Sequence, residues 1–488
     1  MRRGRRTGSL GRSHRRSRGS RPSGGRSAAV PAGRAAAAPL EPGPPALPPH
    51  VPGALPSDVH PRPRSGPLLP PADAPPPEGG IGGPWLPSAG GDRNDPMTDS
   101  ENTPPAPLRV TGLDGARERH GDRADLLVRS LRAGDPLADA VITEFDDLGR
   151  PARAALQRGL AEGRASVPDA PPAVAALLDH TETVPDWVSA DLLEEGDLTS
   201  LAVPFHWSNL AFAGGSLTHT YSSPSIARLL VGTGRLTSTA PRRLAETGLW
   251  NASAILPGGL LRGAPGYVQT VQVRLLHARV RASATAHGWD ADRWGVPINQ
   301  ADVARTWLDF TVVPFRFLEG VGHRLTREEQ ERLYRYWWYV GHLLGLDGEF
   351  FLGVDDHERA GELLDLVDST ADAPDENSRA LVAALFDAAG ARLASAPGSP
   401  MTEPDWRDLL HALARRYHGA HADALGIPES PLTPVLPLLA AAEAKARAHL
   451  LQAPGALRRA EEAGIAAFGG LVASLTDGTA YQEHASAG

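Results

Sequence analysis

The feature that most constrains the fold is a helical periodicity that continues through nearly all of the chain after about residue 105. Apolar residues recur there at spacings of three and four, and Gly, Pro and Asp separate the runs. The clearest runs are Pro136 to Leu160, Pro224 to Val231, Tyr267 to Ala286, Ala301 to Gly320, Arg327 to Leu346 and Ser378 to Leu393. No alternating strand pattern bounded by hairpin turns accompanies them. We therefore predict an all-α, multi-helix globular bundle.

Two helix starts are marked by capping residues. Thr326 is followed by Glu329 three residues later, which is the spacing of a capping box, and an aromatic run comes next. Thr402 precedes Glu403 and Pro404, and this order is typical of a first helical turn. Both positions are predicted helix N-termini.

Composition excludes several classes of enzyme. Lys445 is the only lysine in the chain, so a P-loop and a pyridoxal Schiff base both lack their essential residue. The absence of cysteine excludes a disulfide framework, a thiolate zinc site, an iron–sulfur cluster and covalent haem attachment. There is no Gly-x-Ser-x-Gly motif, and Gly232-Thr233-Gly234 is only a fragment of a dinucleotide-binding fingerprint.

The first 96 residues differ sharply from the rest of the chain. They are dominated by Arg, Pro, Gly, Ala and Ser, with fourteen arginines and six acidic residues. Such a segment buries too little apolar surface to offset its conformational entropy, so we predict a disordered arm. It is interpreted either as a basic arm for nucleic acid or membrane, or as an upstream extension with Met97 as the true start.

Charge and hydropathy indicate the setting in which the protein works. Without the arm the net charge falls from −8 to about −16, which argues against nucleic acid as the main partner. Arginine pairs near the N-terminus resemble a twin-arginine export signal, but no apolar run of the required length follows them. No apolar stretch approaches the roughly 20 residues that span a bilayer. A cytoplasmic protein without a transmembrane segment is the expectation, and its oligomeric state is left open.

One predicted helix carries a histidine between two arginines. His277 shares an apolar face with neighbouring Val and Ala residues, and Arg274 and Arg281 flank it on the same side. This pattern suits a flat, apolar ligand with a central metal and an anionic rim, which is a haem held by His277 with its propionates on the arginines. The same residues also fit a core histidine beside arginines that form ordinary ion pairs.

A second cluster lies about thirty residues upstream, where Arg243 and Thr247 are four positions apart and would share one face of a helix. From this point the chain resembles the haem-dependent oxygenases that include rubber oxygenases (latex clearing proteins) and MpaB-type oxygenases. In that family an Arg-x-x-x-Thr element precedes a Val-Arg-Leu-x-His-Ala helix, which matches Arg243, Thr247 and His277 here. The resemblance continues through the segments 184–188, 297–302, 306–310 and 339–345.

The resemblance implies a haem b enzyme in which His277 is the proximal iron ligand and dioxygen binds opposite. Arg243 and Thr247 are then expected at the haem edge or the distal side, and a hydrophobic, unsaturated, isoprenoid-like small molecule is the expected substrate. The predicted organisation is a disordered segment at 1–96, a helical extension at 97–180, a catalytic domain at 181–395 and a C-terminal helical region at 396–488.

The chain departs from the rubber-cleaving members at two places. Those enzymes can carry a lysine before the threonine and a glutamate on the preceding helix, whereas Glu246 stands here at the first place and residues 223–228 contain no carboxylate. These departures put polyisoprene in doubt as the substrate. Glu246 is itself a candidate distal acid or base, or else an exposed helix charge.

Two competing interpretations remain. His411, His418 and His421 were placed on one predicted helix and offer an alternative metal site in the C-terminal region. The second is a non-catalytic helical haem-binding or scaffold protein, in which the aromatic segments Trp307 to Phe317 and Tyr334 to Tyr339 form core or interface.

Overall fold

The fold is known from a computed structural model that describes residues 105–232, 236–396 and 398–476. By its internal contacts the chain divides into two units, Met1–Arg93 and Asn94–Gly488. The predicted arm at 1–96 and the proposed start at Met97 lie outside the described residues. Within the described part every regular element is helical, and this confirms the predicted fold class.

The N-terminal third of the described chain forms short helices joined by glycine-containing turns. Their bounds are α1 Leu113–His120, α2 Asp122–Ser130, α3 Pro136–Leu148, α4 Arg150–Glu162, α5 Pro172–Glu182, α6 Ala190–Glu195, α7 Leu198–Leu201 and α8 Phe205–Ala211. The sequence run from Pro136 to Leu160 is thus two helices rather than one. It breaks at Gly149, whose φ of +65° is a conformation that glycine adopts at little cost.

The middle of the chain supplies the longest helices and most of the core. Its helices are α9 Thr218–Ser222, α10 Pro224–Gly232, α11 Leu236–Ile255, α12 Pro265–Ala286, α13 Ala291–Trp294, α14 Gln300–Phe310, α15 Val312–Glu319, α16 Arg327–Leu344, α17 Gly348–Phe351 and α18 His357–Ser369. The predicted run from Ala301 to Gly320 breaks at Thr311, because Pro314 has no N–H to donate to the preceding turn. The capping box of Thr326 and Glu329 is present at the start of α16.

The C-terminal part continues the helical pattern. It contains α19 Glu376–Ser395, α20 Glu403–His418, α21 His421–Ala424, α22 Leu436–Gln452 and α23 Ala456–Thr476. Thr402 caps α20 as predicted, here with Asp405 as its partner. The placement of His421 on the same helix as His411 is wrong, since α20 ends at His418 and Gly419 separates it from α21. The glycine has a φ of +56°, which terminates the helix.

Aromatic side chains form the centre of the core, where α11, α14 and α16 meet. The Phe310 ring stacks on Trp337 at 5.4 Å between centroids and meets the edge of Trp250 at 5.0 Å. The indole N–H of Trp307 donates to the Trp337 carbonyl at 2.8 Å, and that of Trp337 donates to Asp197 at 3.0 Å. Both aromatic segments of the sequence therefore lie mainly in the core. No described helix is both long and apolar enough to cross a membrane.

Candidate functional site: the α11–α12 hairpin

The helices α11 and α12 form an antiparallel hairpin whose register follows from two contacts. The indole N–H of Trp250 donates to the Thr270 hydroxyl at 3.0 Å. One turn further on, a Cβ added to Gly266 would lie 2.7 Å from the Cα of Ala254, so the backbones touch there. Arg243 lies seven residues before Trp250 on α11, and His277 lies seven residues after Thr270 on α12. Because both steps cover about 10 Å of helix, these two residues lie at the same level of the hairpin.

His277 has no hydrogen-bond partner for its ring among the described residues, although it is half-buried. Burial and the Arg281 guanidinium lower the pKa of His277 to about 4, against a smaller opposite effect of Asp135. The imidazole is therefore neutral at pH 7, with a lone pair on one ring nitrogen. A neutral imidazole is the form that binds a metal ion.

Packing around this level of the hairpin is incomplete. Toward the loop, Trp250, Ala254 and Tyr267 are almost fully buried. Toward the open end, Leu244 and Val273 are only partly buried, and Leu276 is 45% exposed. A Cβ added to Gly248, about 7 Å nearer the loop than His277, would meet no atom within 4 Å. Apolar side chains near the level of His277 are thus incompletely packed.

The structure places Arg243 and Thr247 on α11, as the sequence predicted for a helix. The Arg243 guanidinium donates to the Leu230 carbonyl at 3.0 Å, which ties α11 to the end of α10. Thr247 makes no hydrogen bond through its hydroxyl within the described part of the chain and lines an adjoining cleft. Glu246 accepts from Arg242 at 2.7 Å, one turn earlier on the same helix.

Arg274 and Arg281 turn toward α3 and form buried ion pairs. Arg274 donates through Nε and Nη2 to the two oxygens of Asp135, at 2.6 and 2.9 Å. Arg281 lies 2.8 Å from Asp139 and also donates to the Ile298 carbonyl at 2.7 Å. Both arginines therefore have carboxylate partners, as the ion-pair alternative expected. A contact between either one and a haem propionate stays a prediction.

The Arg274–Asp135 pair lies where two of the sequence segments that carry the resemblance come together. Gly345 closes α16 with a φ of +75°, and a Cβ there would lie 2.5 Å from both the Arg274 Nε and an Asp135 oxygen. Gln300 donates to the carbonyl oxygens of Gly134 and Gly345, at 2.9 and 3.0 Å. The segments 297–302 and 339–345 thus meet around one buried ion pair. Their role is to position α12.

A cleft lies beside the hairpin and encloses about 650 Å³ of empty space, part of it open to solvent. Four α11 residues form one wall. The π-helical segment Phe212–Leu217 that joins α8 to α9 forms another. The walls are mainly apolar and include Phe205, Phe212, Leu217, Leu244, Phe310, Leu393, Phe468 and Leu471.

A second buried histidine was missed by the sequence reasoning. The Nδ1 atom of His219 lies 2.5 Å from Asp309, and Nε2 lies 2.9 Å from Asp368. Burial and Arg305 oppose protonation, but the two carboxylates outweigh them and raise the pKa of His219 to about 9. The sequence does contain one signal of a buried polar cluster. Asp309 is an acidic residue inside the apolar run Trp307 to Val313, and a buried carboxylate needs a partner.

The alternative metal site in the C-terminal region finds no support. His418 lies 3.1 Å from the Gly214 carbonyl, and the His411 ring packs against Phe386 at 5.3 Å. Across the ranges that the structure describes, no group of three or more His, Asp or Glu residues could hold a metal ion.

Comparison with known proteins gives three matches. Residues 203–447 match the family model described as ER-bound oxygenase mpaB/B'/Rubber oxygenase, catalytic domain. A rubber oxygenase of Streptomyces sp. (strain K30) is 24% identical over 226 residues, which are 44% of this chain and 54% of that protein. The chain thus matches about half the length of this curated relative.

The third match is a solved structure, latex clearing protein LCP in the closed state. It has a TM-score of 0.51 and 21% identity, and the alignment covers 70% of this chain and 90% of that chain. This likeness shows a shared fold. The family match begins and ends later than the predicted catalytic domain at 181–395, and the four-part division of the chain stays a prediction.

Proposed function

We propose, from the premise that this chain belongs to the family of ER-bound oxygenase mpaB/B' and rubber oxygenase catalytic domains, that it is a haem b-dependent oxygenase. It uses dioxygen to cleave or oxygenate a hydrophobic, unsaturated, isoprenoid-like molecule. The observation that carries the proposal is the hairpin register, which sets Arg243 level with His277 and Thr247 about one turn nearer the loop, at an incompletely packed, apolar end.

The residues present fit the group that this function requires. His277 offers a neutral imidazole without a hydrogen-bond partner among the described residues. The incompletely buried apolar side chains of Leu244 and Leu276 lie close to its level on the hairpin. His277 would hold the iron, and residues of α11 would face the opposite side. A haem bound there would supply an iron that binds and activates dioxygen.

The protein's own side chains then have distinct tasks. The Arg243 guanidinium is held by the Leu230 carbonyl and keeps a fixed positive charge near the level of His277. The Thr247 hydroxyl can donate a hydrogen bond toward the cleft, which it lines. The aromatic and aliphatic walls of the cleft exclude water and orient an apolar chain, which favours attack at one double bond.

Polyisoprene is not the proposed substrate. Glu246 occupies the place where rubber-cleaving members can carry a lysine, and it is engaged by Arg242 at 2.7 Å. The cleft beside the hairpin is lined mainly by apolar side chains and suits an apolar small molecule. We therefore propose a discrete unsaturated molecule.

The decisive experiment is a pyridine haemochrome assay with a visible spectrum on the purified full chain. We expect about one haem b per chain and a Soret band, both lost in His277→Ala. His287→Ala is the matched control, because His287 ends the same helix but is exposed and contacts only the Ser283 carbonyl through its ring. A chain that takes up no haem, or a His277→Ala variant that keeps the wild-type Soret band, would contradict the proposal.

A further inference from the structure

We propose that Arg392 makes this cleft a site for an amphipathic unsaturated acid, with the carboxylate on its guanidinium and the apolar chain along the cleft. The inference rests on the proposed function, since it names the class of substrate that the oxygenase accepts. It adds an anionic head group to the hydrocarbon chain that the family resemblance implies.

Arg392 is a cation without a protein anion. It lies in the last turn of α19 and lines the cleft beside Ala389 and Leu393. Its guanidinium has no ion pair or hydrogen bond with any described residue, and burial lowers its pKa. Placing a charge in such surroundings costs free energy unless a partner offsets it. No described carboxylate offsets this cost, so the guanidinium is available to an external anion.

The most deeply buried arginines all have carboxylate partners. Arg274, Arg281, Arg305 and Arg447 are each at most 6% exposed, and each meets a carboxylate of the protein. The protein is acidic overall, so carboxylates are plentiful. A half-buried arginine without one fits a site that binds an external anion.

A second polar group in the cleft also lacks a partner. Asn251 is 5% exposed and lines the cleft one turn beyond Thr247. Its Oδ1 atom is buried and makes no hydrogen bond with the described residues. An unpartnered buried amide oxygen is destabilising unless a ligand or water donates to it. The cleft thus presents two unfilled polar positions on otherwise apolar walls.

The charge of the cleft selects the head group. Arg392 is the only cationic side chain among the described residues that line it. One guanidinium matches one carboxylate through two parallel hydrogen bonds, and its single charge balances a monoanion but not a phosphate monoester dianion or a diphosphate. The occupant is therefore a monoanion with a long apolar chain.

The test is equilibrium binding of cis-parinaric acid, a fluorescent polyunsaturated acid, to the purified full chain, with its methyl ester as the uncharged comparator. We expect wild type to prefer the acid, and Arg392→Met to weaken acid binding at least about tenfold while leaving the ester unchanged. Arg392→Lys should restore part of the preference. Arg379→Met is the matched control, because Arg379 lies exposed on the same helix.

Equal affinity of wild type for acid and ester, or equal acid affinity in Arg392→Met, would overturn the inference. A loss of haem in Arg392→Met with unchanged acid affinity would also overturn it, because Arg392 would then bind a haem propionate. Haem content is measured on the same samples. Haem uptake without acid preference refutes only the inference, whereas acid preference in a chain that takes up no haem refutes only the proposed cofactor.

Discussion

Two histidines of this protein, the buried His219 and the half-buried His277, have opposite electrostatic environments. His219 lies between Asp309 and Asp368, and its pKa is raised to about 9. His277 has no hydrogen-bonding partner in the described structure, and burial lowers its pKa to about 4. At pH 7 the first is an imidazolium in a salt-bridge network, and the second is a neutral imidazole. Burial alone therefore does not tell which histidine is available to a ligand.

The difference lies in what each histidine is packed against. His219 is covered by α14 and α18, each of which supplies a carboxylate, so its protons are fully used in holding helices together. The carboxylates near α12 are taken by Arg274 and Arg281 instead. The arginines beside His277 thus keep acidic groups away from it. This arrangement leaves the imidazole neutral and its nitrogen free to bind.

The largest expected effect separates the two histidines by stability. His219→Ala should lower the free energy of unfolding by about 3–5 kcal/mol, because it leaves the fully buried Asp309 without its imidazolium. His277→Ala should lower that of the haem-free protein by about 1 kcal/mol or less. Urea unfolding followed by circular dichroism measures both. Equal losses in the two variants would contradict the distinction drawn here.

The pH dependence of the free energy of unfolding should also distinguish His219 from His277. Each histidine should change this free energy by about 3 kcal/mol over its own pH range. The folded pKa of His219 is raised, so its stabilisation is complete below about pH 6.5 and is lost as the pH rises through about 9. The folded pKa of His277 is lowered, so stability falls as the pH drops from about 6.5 toward 4.

The measurement is urea unfolding of haem-free protein between pH 4 and pH 10. His219→Gln should flatten the alkaline limb of the stability profile and leave the acidic limb in place. His277→Gln should reduce the acidic limb by its own share and leave the alkaline limb in place. Part of the acidic limb should remain, because burial also lowers the pKa of His323, His342, His357 and His418. If His219→Gln left the alkaline limb unchanged, the imidazolium between Asp309 and Asp368 would not exist.

The sequence predicted most of the helices because helical periodicity and capping depend on local spacing. The capping residues Thr326 and Thr402 act within one helical turn, and both starts are confirmed. The placement of Arg243 and Thr247 on a helix is likewise a matter of four-residue spacing. Breaks at Gly149 and Thr311 were missed, since apolar periodicity continues across each of them.

Long-range partners could not be predicted in the same way. Asp135 and Asp139 are about 140 residues from the arginines that they bind, and nothing in their local sequence identifies these pairs. The unpaired state of Arg392 is also a tertiary property, because it depends on which carboxylates fold close to the cleft. Sequence therefore identified His277 as a candidate, and the structure was needed to show that its flanking arginines are already engaged.

The smallest expected effect concerns Glu246, the α11 carboxylate that the sequence offers as a distal acid or base. Its partner Arg242 is 45% exposed, so the pair is a surface interaction, and Glu246→Gln should change stability by less than about 0.5 kcal/mol. The Soret band and the pH dependence of turnover should stay as in wild type, because the carboxylate is held on the outer side by Arg242. Arg242→Gln is the matched control and should behave in the same way. A shifted Soret band or an altered pH profile in Glu246→Gln alone would instead place this carboxylate on the reactive side and make it the acid or base of the site.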